Sequence, residues 1–102
     1  MQFLMLSRRH TDHLASDELD PLMEVEAERA RTLYTAGEFR HIWNRTDAPG
    51  AAILIEARDE AHAREIVATL PLVQRKLMEF ELIGLRPYRG FAPRVNAGPS
   101  TA

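Results

Sequence analysis

A chain of 102 residues can bury one small hydrophobic core and is too short for two domains; its make-up, 45% hydrophobic and 27% charged, is that of an ordinary soluble globular protein. A formal net charge of -2 with both signs interspersed gives no footprint for nucleic acid or for an anionic membrane, and the lack of cysteine excludes disulfides, thiolate nucleophiles and cysteine-ligated metals. No apolar run approaches the roughly 18 residues of a membrane span, and MQFLMLSRR carries its charges after its apolar part, the reverse of a secretory signal, so the expected location is cytoplasmic.

Gln2 to Arg8 is a short apolar run whose length predicts a buried strand. Arg9 to Ser16 reads as a polar connection. Within it His10, Asp12 and His13 have metal-ligand types, yet no further convergent ligand is evident and nothing pins the loop, so a solvated loop is the expectation. Ser16 or Asp17 can cap the helix that follows, and Pro21, tolerated only in a first turn, predicts regular helix from close to Asp20 to a C-terminal cap at Gly37.

That helix carries one residue out of place. At about 100° per residue, Leu19, Leu22, Met23, Ala30, Leu33 and Tyr34 fall within an arc of roughly 120°, a core-facing stripe, with Glu26 near its middle and Arg29 at its edge. A carboxylate on an apolar face must be paired, hydrogen-bonded or protonated. Glu26 is therefore a candidate working group; the alternative is a side chain that reaches the rim beside Arg29.

Period-2 alternation in Glu38 to Arg45 puts Phe39, His41, Trp43 and Arg45 on one face of a second strand and Glu38, Arg40, Ile42 and Asn44 on the other. Thr46 to Gly50 has hairpin-loop residues, and Ala51 to Ala57, apolar on both faces, predicts a central strand. Asp59 can cap a second helix to about Leu70 with an inward stripe of Ala63, Ile66, Val67 and Leu70. Pro71 to Lys76 reads as a turn or short irregular crossing. Leu77 to Leu85 alternates as a fourth strand, with Met78, Phe80 and Leu82 on one face and Glu79, Glu81 and Ile83 on the other.

The order strand, helix, strand, strand, helix, strand is the split βαβ pattern of an α+β, ferredoxin-like sandwich: a four-stranded antiparallel sheet with two helices on one face, over residues 1–86. Residues 87–102, rich in proline and glycine, read as an arm or disordered tail. Apolar side chains on both faces of the strands predict that the bare sheet face is covered by a second subunit, giving a homodimer or higher homo-oligomer in which two sheets form a dimeric α/β barrel.

The series Glu26-x-x-Arg29-Ala30-x-x-Leu33-x-x-x-Gly37, followed by Arg40-His41-Ile42-Trp43, Leu70-Pro71-Leu72 and Gly84-Leu85, resembles the muconolactone isomerase family. The resemblance implies an allylic proton shift in a small unsaturated lactone, without cofactor or metal: a base takes the γ-proton and returns it at the α-carbon through a dienolate. Glu26 matches the family's helix glutamate as that base. His41 then becomes the oxyanion donor or proton relay and Trp43 an apolar wall, against the plainer reading of both as core residues. Arg40 and Arg8 become candidate clamps for a substrate carboxylate, with Arg29 beside the base. Glu79 and Glu81 could pair as carboxylates, but an edge facing Arg75 or Lys76 accounts for them more simply.

Three departures point to a different substrate. Leu6 stands where the family has a lysine, Gly50-Ala51-Ala52 replaces polar and aromatic residues, and Leu72 to Leu77 is longer by about two residues. The alternatives are thus a related cofactor-free cyclase or dehydratase of specialised metabolism acting on a larger substrate, or a non-catalytic, oligomeric module that binds a small ligand.

Overall fold

The computed structural model describes residues 1–91. Strand β1 (Gln2–Arg9) leads to the long helix α1 (Ser16–Thr35), strands β2 (Phe39–Asn44) and β3 (Ala51–Glu56), and helix α2 (Glu60–Ala68). A short helix α3 (Pro71–Gln74), strand β4 (Met78–Leu85) and a 3-10 turn (Arg89–Phe91) follow. All pairings are antiparallel and the sheet order is β2-β3-β1-β4, so β1 and β3 are central, as the ferredoxin-like reading requires. The arm expected after Pro87 falls in its greater part, residues 92–102, outside the described residues.

Alternation decides which face holds the core. In β1, Phe3, Met5 and Ser7 are buried, while Leu4 and Leu6 are half-buried and Arg8 exposed. The buried set meets Leu33 of α1, Ile53 and Ile55 of β3, and the predicted stripe Ala63, Ile66, Val67 and Leu70. Each such large side chain contributes about 1.5–3 kcal/mol through removal from water. The helices cover this face, and among the described residues no helix covers the opposite one.

Helix α1 begins earlier than Pro21 suggests. Ala15 is its N-cap, and the Ala15 N–H donates to Glu18 Oε1 at 3.2 Å, so Pro21 lies in the second turn. Asp17 and Glu18 complement the positive end of the helix dipole there. Tyr34, expected in the inward stripe, is 60% exposed and lies outside the core. Pro71 to Gln74, expected as a turn or short irregular crossing, forms the single helical turn α3, because proline suits the first position of a helix.

The main correction concerns β2. Phe39 pairs with Ile55, but His41 pairs with Leu54, so Arg40 is an extra residue in a β-bulge. One added residue turns every later side chain to the other face. Phe39 points into the core, whereas Ile42 and Asn44, not His41 and Trp43, share the helix-covered face with Ile53 and Ala51.

Candidate functional site

Glu26 sits on the inward side of α1, and its carboxylate reaches the start of α3. Leu72 N–H, one of the donors left without an intrahelical partner at a helix start, donates to Glu26 Oε1 at 2.9 Å. Among the described residues Oε2 has no hydrogen-bond partner. The side chain lines a cavity of about 280 Å³ between α1 and the sheet, walled by Met23, Ala27 and Ala30, by Ile42 and Ile53, and by Leu70, Leu72 and Met78. These walls are apolar, and burial raises the Glu26 pKa above its ordinary value; the Leu72 N–H and the nearby Arg9 cation act in the opposite sense and do not cancel it.

Few other polar groups reach this space. Ser7, although buried beside it, is engaged in stitching the sheet: its Oγ accepts from Ala51 N–H at 3.0 Å and donates to the Ala51 carbonyl at 3.4 Å. Gly50, in a backbone conformation with φ 153°, lets the β2–β3 loop lie against β1, where any Cβ would meet the Ser7 carbonyl. Asn44 and Arg31 lie along the exposed rim. Arg9, the last residue of β1, follows Phe3, Met5 and Ser7 on the helix-covered face and lines the cavity with Glu26.

Of the six side chains singled out in the sequence, Glu26 alone lines this cavity. The bulge puts His41 and Trp43 on the uncovered sheet face, where their rings stack at 5.1 Å with 13° between planes. Arg40 borders a separate depression with Gln2, Tyr34 and His41. Arg8 is on the uncovered face, in a polar recess with Arg45, Glu79 and Glu81. Arg29 Nε donates to Thr69 Oγ1 at 2.9 Å and so ties α1 to the end of α2. Glu79 faces not Arg75 or Lys76 but His10, at 3.3 Å. Among the described residues no cluster of histidines and carboxylates could hold a metal ion.

Arg9, Asn44 and Ile42 are among the cavity residues that sequence reasoning missed. Arg9 was legible as the next odd position after Phe3, Met5 and Ser7 had the strand been extended by one residue. Asn44 and Ile42 were not, because period-2 alternation cannot reveal a bulge.

Comparison with known proteins agrees with this architecture. The sequence profile of the family described as muconolactone delta-isomerase matches residues 1–90. A crystal structure of muconolactone isomerase superposes with a TM-score of 0.76 at 20% identity, covering 87% of this chain and 92% of that one. The 5-chloro-2-hydroxyhydroquinone dehydrochlorinase of Burkholderia phenoliruptrix AC1100, in complex with 2,5-dihydroxybenzoquinone, superposes with a TM-score of 0.63 at 14% identity, covering 88% and 98%. No curated protein matches the sequence. The two structures share the fold; the profile, which spans nine-tenths of the chain and both halves of the cavity, goes further, and by it the chain belongs to the muconolactone delta-isomerase family.

Proposed function

We propose that the protein is a cofactor-free isomerase that moves a double bond in a small unsaturated lactone by an allylic proton shift, with Glu26 as the base. One observation carries this reading: a single carboxylate of raised pKa, tethered through one oxygen to the Leu72 N–H, projects into an otherwise apolar cavity. In such a lactone the γ-proton is acidified by the conjugated carbonyl. The Glu26 carboxylate takes that proton as the γ C–H bond breaks, the electron pair delocalises into a dienolate, and the resulting carboxylic acid returns the proton to the α-carbon. The base is restored and the double bond has moved. Desolvation makes the carboxylate more basic than in water, which favours proton removal, and its conjugate acid can then return the proton.

The cavity of about 280 Å³ suits a substrate of one small ring. Its apolar walls exclude water from the dienolate. The test is to follow muconolactone in deuterated water by NMR with the wild type and with Glu26→Gln. Double-bond migration by the wild type alone supports the reading, with protium at the α-carbon where Glu26 returns the substrate's own proton and deuterium where its acid exchanges with solvent first; an equally active Gln variant refutes it.

The second reading, a related acid-base enzyme on another unsaturated ring, draws on the dehydrochlorinase that shares the fold. It is favoured if the folded wild type leaves muconolactone untouched. For assembly, a homodimer with sheets face to face is proposed: half-buried Leu4, Leu6 and Leu54 lie beside Trp43, Ile83 and Leu85, which are 50%, 39% and 38% exposed, on the face no helix covers. An apolar sheet face of this kind marks an interaction site.

A further inference from the structure

We infer that Arg9 is the anion-recognising residue of the cavity, receiving a carboxylate of the substrate on its Nε–H while Glu26 works on the ring. The inference rests on the cavity being the reaction site proposed above, and adds to it a specificity residue.

The observation behind it is a donor left without an acceptor. Arg9 Nε is buried and has no hydrogen-bond partner among the described residues. A buried unpaired donor is costly, more so on a charged group, and such donors are rare unless a ligand completes them. The strand register makes this position unusual. Phe3, Met5, Ser7 and Arg9 share the inner face of β1, and the first three are buried. Arg9 is held there by its backbone: its N–H donates to the Pro49 carbonyl at 2.9 Å and its Cα pairs with Met78.

Arg9 and Glu26 line the same cavity and sense one another's charge, yet no ion pair or hydrogen bond joins them. Were they in contact, each would satisfy the other and the base would be held ionised and inert. Their separation leaves room for a ligand whose acidic C–H faces Glu26 and whose anionic end faces Arg9. A guanidinium suits a carboxylate better than an ammonium does, because it offers directed donors in a plane. Arg31, the other cation on the cavity wall, is exposed on α1 and has no buried donor to complete.

The experiment compares affinities, in the turnover-blocked Glu26→Gln background, for a carboxymethyl butenolide and its methyl ester by titration calorimetry. The parent should prefer the carboxylate by roughly 10-fold or more, the usual scale of a hydrogen bond to a charged group. Adding Arg9→Met should erase that preference and leave the ester within about twofold. Adding Arg31→Met should leave it in place. In thermal melts Arg9→Met should be no less stable than its parent, because a stranded donor has been removed. No carboxylate preference in the parent, including no binding of either compound, overturns the proposal. So does a preference that survives Arg9→Met, or an Arg9→Met variant that loses both ligands and several degrees of Tm together, which would mark Arg9 as structural. The double-bond-migration comparison with wild type and Glu26→Gln judges the base separately, so the two readings can fail independently.

Discussion

The Glu26 carboxylate accepts a 2.9 Å hydrogen bond from the Leu72 backbone N–H, and through it the middle of α1 is fastened to the first turn of α3. The same group that is proposed as base therefore has a structural duty, and the two can be separated by choice of substitution. Gln keeps an oxygen that can accept from Leu72 and loses basicity. Glu26→Gln should lower turnover by about 10²–10⁴-fold, the usual contribution of a general base, with a Tm near that of the wild type. Glu26→Ala should lose turnover as well and also strand the Leu72 N–H, at about 1–3 kcal/mol of stability. Denaturant unfolding of both variants beside the kinetics checks this; equal instability of Gln and Ala would contradict it.

Much of this site could be read from residue order. Glu26 was conspicuous because a helix repeats every 3.6 residues and a carboxylate at the middle of its apolar arc has few harmless explanations. The succession of strands and helices, the central place of β3 and the shared face of Met78, Phe80 and Leu82 in β4 followed from apolar patterning in the same way. What could not be read depended on single-residue offsets. Ending β1 at Arg8 turned Arg9 into a loop residue, and the bulge at Arg40 reversed His41 and Trp43. The tie between Glu26 and Leu72 joins residues 46 positions apart and has no local signal.

The raised pKa of Glu26 has a signed consequence for stability. The ordinary value is 4.5, and burial lifts it in the folded state. Between the unfolded and folded values the native protein binds more protons than the unfolded chain, so stability falls as pH rises through that window and stays reduced above it. Glu26→Gln removes the ionisation. The Tm of the wild type relative to Glu26→Gln should therefore be highest below pH 4.5, decline as pH rises, and level off above the folded pKa. The same ionisation should govern turnover, with kcat/KM rising with pH through an apparent pKa above 4.5. A profile that is already flat from pH 4.5 upward would remove Glu26 as the base.

Gly50 brings the β2–β3 loop against β1, and both its φ of 153° and the nearby Ser7 carbonyl reject a side chain. Gly50→Ala should cost roughly 1–3 kcal/mol for the backbone conformation alone, plus whatever shift relieves the collision. Because Gly50, Ala51 and Ser7 border the cavity, ligand affinity should weaken along with stability. By contrast Gly84→Ala, whose added carbon would make only ordinary contacts with the Phe3 ring at 3.8 and 3.9 Å, should be nearly neutral. Paired melts of the two variants check the contrast.

The bulge at Arg40 separates two consequences that an unbroken strand would have combined. Trp43, half-exposed and stacked on His41, lies on the uncovered face and not in the cavity with Glu26. If that face is the homodimer interface, Trp43→Glu buries an unpaired carboxylate in the dimer but exposes it harmlessly in the monomer, so dissociation is the favoured response. Light scattering after size exclusion should show a dimer for the wild type and a monomer, or at least about a 100-fold weaker dimer, for Trp43→Glu. His41→Ala should leave kcat within a few-fold, because its ring is on the far side of the sheet from the base. Loss of turnover in His41→Ala with the oligomer intact would instead mean that the reacting group is reached from the uncovered face, and the cavity beneath α1 would no longer be the site.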